Sequence, residues 1–228
     1  MRASVIIPAL NEVESIAQVL SNIPEDFGAE VLVVDGGSKD GTVAIAESAG
    51  ARVIHEPRLG YGMACARGVS EAVSDLIIFM DADGADDPRI IPELAAPLLS
   101  GTADLVLGSR LTGLMQAGAM PWHQYAGNWL SAQLIRNLYG VPITDLSPFR
   151  AVDRKMLQVL KMQEMTYGWP TEMIVKAARF GWRIQEIPVV YHPRLGGKSK
   201  ISGTIRGTVL ATYFILRTIF KYSRKVQV

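Results

Sequence analysis

The feature that most constrains this chain is an alternation in its first half. Short apolar runs at Ser4–Pro8, Glu30–Asp35, Arg52–His55, Leu76–Asp81 and Asp104–Ser109 are separated by helix-like segments near Glu14–Ser21, Thr42–Ala49, Met63–Val73 and Pro88–Leu99. Runs this short and this continuously apolar read as strands buried on both faces. Strands that alternate with helices at this spacing form a parallel α/β sheet. Pro88 suits the first position of a helix, where its missing N–H costs nothing. The second half is less regular. Helices are predicted near Tyr125–Tyr139, Asp153–Leu160 and Thr171–Phe180, then a strand over Arg183–Tyr191. A loop follows at Gly196–Lys200, and a last helix runs from about Thr204 to Tyr222.

In a parallel sheet, ligands bind beyond the carboxyl ends of the strands. Three polar clusters fall at such ends: Asn11-Glu12 after the first run, Asp35-Gly36-Gly37-Ser38 after the second and Asp81-Ala82-Asp83 after the fourth. The fold should bring all three to one edge. Two carboxylates two residues apart can hold a hard divalent cation, Mg²⁺ or Mn²⁺, that also grips a diphosphate. The structural alternative is a polar turn capping the helix at Pro88. Asp35 can accept hydrogen bonds from a nucleoside, or can simply close its own turn. An EF-hand is excluded, because Asp86 stands where glycine is needed and Pro92 where the closing glutamate belongs. A dinucleotide fingerprint at Gly60-Tyr61-Gly62 fails at Cys65, where the third glycine should be. Gly197-Lys198-Ser199 lacks the upstream strand and glycine spacing of a Walker loop.

The chain of 228 residues is long enough for one sizeable core and shows no internal repeat. Cys65 is the only cysteine, which suits a reducing cytosol, and the N-terminal pattern is that of a strand rather than a leader. The three histidines and four tryptophans read as structural residues, in the core or at its rim. From Ile187 onward there are eight basic residues and no acidic ones, out of 23 basic and 22 acidic in all. A basic tail on an acidic body points to an anionic partner. Arg206, Arg217, Lys221 and Arg224 fall within about 60° of one another at ~100° per residue, while Ile205, Val209, Leu216, Ile219 and Phe220 fall between about 220° and about 320° from Arg206, with Leu210 and Phe214 among the basic residues. The uncharged run between Arg206 and Arg217 spans about 15 Å of helix, too short for a hydrocarbon core of about 30 Å. A helix lying in a membrane surface and a helix packed on the domain both fit. No aromatic-interleaved or groove-reading motif accompanies the basic residues, so nucleic acid is not expected as a partner.

Together these residues resemble the family 2 glycosyltransferases, and among them the dolichol-phosphate mannosyltransferases and related polyprenyl-phosphate glycosyltransferases. The resemblance is carried by residues 5–12 (VIIPALNE), 33–42 (VVDGGSKDGT), 80–83 (MDAD), 108–110 (GSR), 145–150 (DLSPFR), 186–189 (EIPV) and 194–200 (RLGGKSK). It implies an inverting enzyme with a GT-A fold, a Rossmann-like, mostly parallel sheet flanked by helices. The catalytic domain would span 1–202, with a basic amphipathic helix over 203–228. Pro8, Asn11, Glu12 and Asp35 would contact the nucleoside of a UDP- or GDP-hexose. Asp81 and Asp83 would hold the cation and diphosphate. Arg110 and Arg150 would neutralise phosphate, and Arg194, Ser199 and Lys200 would close over the substrates. The implied acceptor is a lipid phosphate, with peripheral contact at the inner face of the membrane. For a hydroxyl acceptor, Asp145 is the candidate base. A soluble phosphorylated acceptor is the alternative, and a non-catalytic nucleotide-binding scaffold is a reading of another class. Two positions depart from the family pattern: Ala85, where many relatives carry a metal ligand, and Pro148, where many have glycine.

Overall fold

The computed structural model describes residues 3–197 and 205–223. Seven strands form one sheet: β1 (Ala3–Ala9), β2 (Glu30–Asp35), β3 (Arg52–His55), β4 (Leu76–Phe79), β5 (Leu105–Met115), β6 (Arg150–Asp153) and β7 (Ile184–Tyr191), in the order β3-β2-β1-β4-β6-β5-β7. β1 to β4 are mutually parallel, as are β5 and β7. β6 runs against both its neighbours, β4 and β5. The five predicted strands of the first half and the later one at β7 are therefore present. β6 was not anticipated, because Arg-Ala-Val-Asp is only four residues long and has charged ends.

Both faces of the sheet are covered. Residues of alternate pleats feed two cores: Ile6, Ile77 and Phe79 face one side, and Val5, Ile7, Leu76 and Ile78 the other. The first side is roofed by α3 (Tyr61–Glu71), α5 (Trp122–Tyr139), α6 (Arg154–Leu160), α7 (Trp169–Arg179) and α8 (Ile205–Ser223). The second is roofed by α1 (Ile16–Ser21), α2 (Thr42–Ser48) and α4 (Ile91–Leu99). Local signals set several of these starts. Asp153 caps α6 by accepting from Lys155 N and Met156 N, and Asp87 accepts from Arg89 N at the short 3₁₀ turn that begins at Pro88. α5 starts three residues earlier than predicted, directly after Pro121. Trp122 and Trp129 stand exposed on its first turns, whereas Trp169 is buried with its ring edge-on to Phe79.

β5 overshoots its predicted end and pairs with β7 again beyond a register shift between Ser109 and Leu114. Gly113 permits this second pairing, since a Cβ there would lie 1.9 Å from the Val189 carbonyl oxygen. Backbone cannot yield as a side-chain tip can. Gly113→Ala is expected to destabilise the fold by about 1–3 kcal/mol, as overpacking does. An unchanged midpoint in urea unfolding would contradict this.

The last helix packs on the domain. Its buried positions include Ala211, Thr218 and Ile219, set against α5 and α7. The Tyr222 hydroxyl donates to Glu172 Oε1 at 2.6 Å, and the Tyr139 hydroxyl donates to the Ile219 carbonyl. Of the face expected to meet a membrane, Ile219 is fully buried while Val209 and Phe220 are exposed. The side chains of Ile205 and Arg206, and all of Arg224, lie outside the described residues.

Candidate active site

The loops after β1 and β2 are stitched to each other. Asn11 takes a left-handed conformation, φ 51°, in which its N–H donates to Ser38 Oγ at 2.9 Å and its Oδ1 accepts from Lys39 N at 2.8 Å. The Glu12 N–H donates to Thr42 Oγ1 at 2.9 Å. Asp35, the last residue of β2, is buried and accepts from Gly37 N at 3.0 Å and Ser38 N at 3.1 Å. His55 Nδ1 approaches it to 3.4 Å. Burial pushes the Asp35 carboxyl up, but the hydrogen bonds from Ser38, Gly37 and His55 outweigh it and hold the group below the usual carboxylate range. Asp35 is thus an ionised acceptor that closes its own turn and shapes the floor beside β3. Pro8 lies in register with Val34 on the adjacent strand.

The acidic pair follows β4 on the same edge. Ser15 Oγ donates to the Ala82 carbonyl at 2.7 Å, which ties the loop after β1 to the pair. Asp83 is buried, its Oδ1 accepting from Ala85 N at 3.0 Å and its Oδ2 from Arg194 Nη1 at 2.7 Å. Arg194 Nη2 reaches Glu12 Oε2 at 2.8 Å, so one guanidinium joins two of the three clusters. Asp81 is raised to about 7, first by burial and then by the charge of Asp83, against an opposing hydrogen bond from Tyr61 and the charges of Arg110 and Arg194. Two crowded carboxylates of this kind suit a divalent cation, whose charge relieves both penalties. Among the described residues no group of three His, Cys, Asp or Glu side chains could hold a metal. An ion held by Asp81 and Asp83 would draw the rest of its shell from substrate phosphate and water.

Asp145, Arg110 and Arg150 are buried at the same rim, and the charge of Arg110 is felt at Asp81. Asp145 is fully buried. It accepts from Arg110 N at 2.7 Å, Arg110 Nε at 2.9 Å, Arg110 Nη2 at 2.7 Å and Asn128 Nδ2 at 2.8 Å. Burial raises the Asp145 carboxyl, yet Arg110 and Asn128 overcome this and lower it. Asp145 is thus held as the ionised partner of Arg110. Arg110, paired with Asp145 and stacked 5.1 Å from the centroid of the Tyr191 ring, has its charge already balanced. Arg150 is buried, with its guanidinium donating to the carbonyls of Pro170, Leu146 and Ser147. It binds peptide oxygens in the interior through its two terminal nitrogens. Ser199 and Lys200 lie outside the described residues. The sequence reading missed Tyr61, Ser15 and Glu14. Tyr61 had a signal, since it lies in the Gly60-Tyr61-Gly62 turn that was discarded with the dinucleotide fingerprint. Glu14 had none, because its partner Gly197 is 183 residues away.

With the site defined, comparison with known proteins is decisive at family level. A model of glycosyl transferase family 2 matches residues 4–160. The chain is a family 2 glycosyltransferase. The transferase is 41% identical over 210 residues to an uncharacterised glycosyltransferase of Mycobacterium tuberculosis, spanning 91% of this chain and 93% of that one. It is 33% identical over 224 residues to the undecaprenyl-phosphate mannosyltransferase of Micrococcus luteus, spanning 91% and 90%. Among solved structures it superposes on glucosyl-3-phosphoglycerate synthase of Mycobacterium tuberculosis in complex with Mn²⁺, UDP and phosphoglyceric acid. That match has a TM-score of 0.77 at 23% identity, covering 97% of this chain and 78% of that one. The fold is GT-A, as the sequence implied.

These findings correct the narrower resemblance to polyprenyl-phosphate glycosyltransferases. The structural match that runs through nearly the whole transferase is to an enzyme holding phosphoglyceric acid, a small phosphorylated acid. The lipid-phosphate acceptor and the membrane contact are withdrawn with it. α8 sets Ala211, Thr218 and Ile219 against the domain, where it packs on α5 and α7. Among the described residues no helix is long and apolar enough to cross a membrane.

Proposed function

We propose that this transferase moves a hexose, with inversion, from a UDP-hexose to a soluble phosphorylated acceptor of the phosphoglycerate class, using Mg²⁺ or Mn²⁺. The observation that carries this reading is the convergence of Glu12, Asp35 and the Asp81/Asp83 pair on one rim, where Arg194 joins Glu12 to Asp83. Asp35 and the Asn11 loop form the nucleoside side of that rim, and the acidic pair the diphosphate side. A bound divalent cation supplies charge to stabilise the departing UDP. The protein's own part is positioning and electrostatics. Asp35 fixes the turn against which the nucleoside rests, and Arg194 brings a fork of donors suited to phosphate oxygens. The Arg110–Asp145 pair holds the segment before β6 at the same rim. The neighbours that hold Mn²⁺, UDP-glucose and phosphoglyceric acid support the choice of donor, cation and acceptor class.

The test is an acceptor panel with UDP-glucose and Mn²⁺, read by mass spectrometry as the addition of one hexose. Phosphorylated hydroxy acids are expected to be glycosylated, and omission of the metal to abolish the product. Undecaprenyl phosphate in detergent and GDP-mannose serve as the competing acceptor and donor. Faster transfer to the lipid phosphate would overturn the acceptor class, and faster turnover of GDP-mannose would overturn the donor.

A further inference from the structure

The segment 192–197, which follows β7, crosses the rim of the site and is fastened at both sides. His192 N donates to the Ala85 carbonyl at 2.8 Å and Leu195 N to the Asp83 carbonyl at 3.1 Å. At its far end Gly197 N donates to Glu14 Oε2 at 2.8 Å. The seat is shaped to the strap. Gly84 has φ 74°, and a Cβ there would lie 2.3 Å from Leu195 Cδ1; a Cβ on Gly196 would lie 1.9 Å from Glu14 Oε2. In the middle, Arg194 Nη1 sits 2.7 Å from Asp83 Oδ2 while Nη2 lies 3.0 and 2.8 Å from the two Glu12 carboxylate oxygens. Arg194 Nε also turns back to the Gly196 carbonyl at 3.4 Å.

This arrangement has a consequence for the cation. The Asp83 oxygen not bound to the Ala85 N–H is the one that Arg194 occupies. A divalent ion placed on Asp81 and Asp83 would stand as a second positive charge against the guanidinium that already engages Asp83. With Arg194 where it is, its charge opposes the ion. We infer that the strap 192–197 is a latch: in the resting enzyme Arg194 fills the cation position at Asp83, and arrival of the metal with a nucleoside diphosphate releases it. The diphosphate gives Arg194 a new anionic partner in place of Asp83. Metal and nucleotide must therefore bind with positive coupling, each raising the other's affinity by the same factor. Metal alone is opposed by the latch, and nucleotide alone leaves the acidic pair without its ion. The inference rests on the proposed function's placement of the cation at Asp81 and Asp83.

The test is calorimetric titration of the full chain with Mn²⁺, with and without UDP, so that no acceptor or turnover is involved. For the native sequence, weak Mn²⁺ binding alone and at least tenfold tighter binding with saturating UDP are expected. In Arg194→Gln, Mn²⁺ alone should bind at least tenfold tighter than in the native chain, and the coupling to UDP should shrink. Glu14→Ala removes the far fastening without touching the cation position. It should tighten Mn²⁺ binding in the same direction by a smaller factor, with circular dichroism confirming that both variants fold. Equal or weaker Mn²⁺ binding in both variants overturns the latch, as does a complete lack of Mn²⁺ binding with or without UDP. A chain that glycosylates phosphorylated acceptors yet shows unchanged Mn²⁺ affinity in Arg194→Gln loses the latch and keeps the function. The converse pattern loses the acceptor class alone.

Discussion

Asp83→Asn is expected to lower kcat with UDP-glucose and Mn²⁺ by about 10³-fold or more, since loss of a metal's electrostatic stabilisation costs several kcal/mol of barrier. The amide keeps the shape of the side chain and one acceptor oxygen, so the Ala85 N–H can stay bonded and the turn can hold. What disappears is the charge that, with Asp81, makes the pair attractive to a divalent ion. UDP affinity measured in EDTA should change far less than turnover, because the Asp35 side of the rim is untouched. The matching signature is in Asp81. Its carboxyl is raised partly by the charge of Asp83, so removing that charge should bring it down. Unchanged turnover in Asp83→Asn would remove this residue from the cation site and the proposed chemistry with it.

The second large effect concerns stability. Asp145→Asn leaves the Arg110 guanidinium buried without its counter-charge, a loss of about 3–5 kcal/mol for a buried pair broken on one side. For a domain of this size each kcal/mol moves the melting temperature by roughly 2–4 °C, so a drop of about 6–20 °C is expected. Scanning calorimetry reads it directly. Arg110→Met combined with Asp145→Leu should recover much of the loss, because an apolar pair replaces an uncompensated ion. A variant that melts like the native chain and yet loses all turnover would contradict this account and favour Asp145 as a proton acceptor.

The donor half of the molecule was largely legible in its sequence. Strands β1, β2 and β4 are parallel and mostly buried, so they appear as apolar runs, and each polar cluster begins at the end of its strand or within two residues of it. That is why Asn11, Glu12, Asp35, Asp81 and Asp83 could be placed on one edge without coordinates. Asp145 and Arg150 show where the same reasoning stops. Their residue types announced chemistry, but only burial and partners reveal that one is bonded to Arg110 and Asn128 and the other to peptide carbonyls. The role of Arg194 as a bridge was hidden for a different reason. It meets Glu12 across 182 positions of chain, and no local pattern encodes that encounter. The last helix carried two periodicities at once, a basic stripe and an apolar one, and its sequence alone could not say which neighbour would take the apolar side.

One more consequence follows from the reversed strand. Because β6 points opposite to β4 and β5, Arg150 lies level with Phe79 at the top of the sheet and Asp153 level with Leu76 at the bottom. The sheet therefore receives, at its ligand-facing margin, the residues that lead into β6 rather than those that leave it. Insertions just ahead of residue 150 should then remodel acceptor choice, while insertions after residue 153 should fall on the opposite, inert end of the molecule.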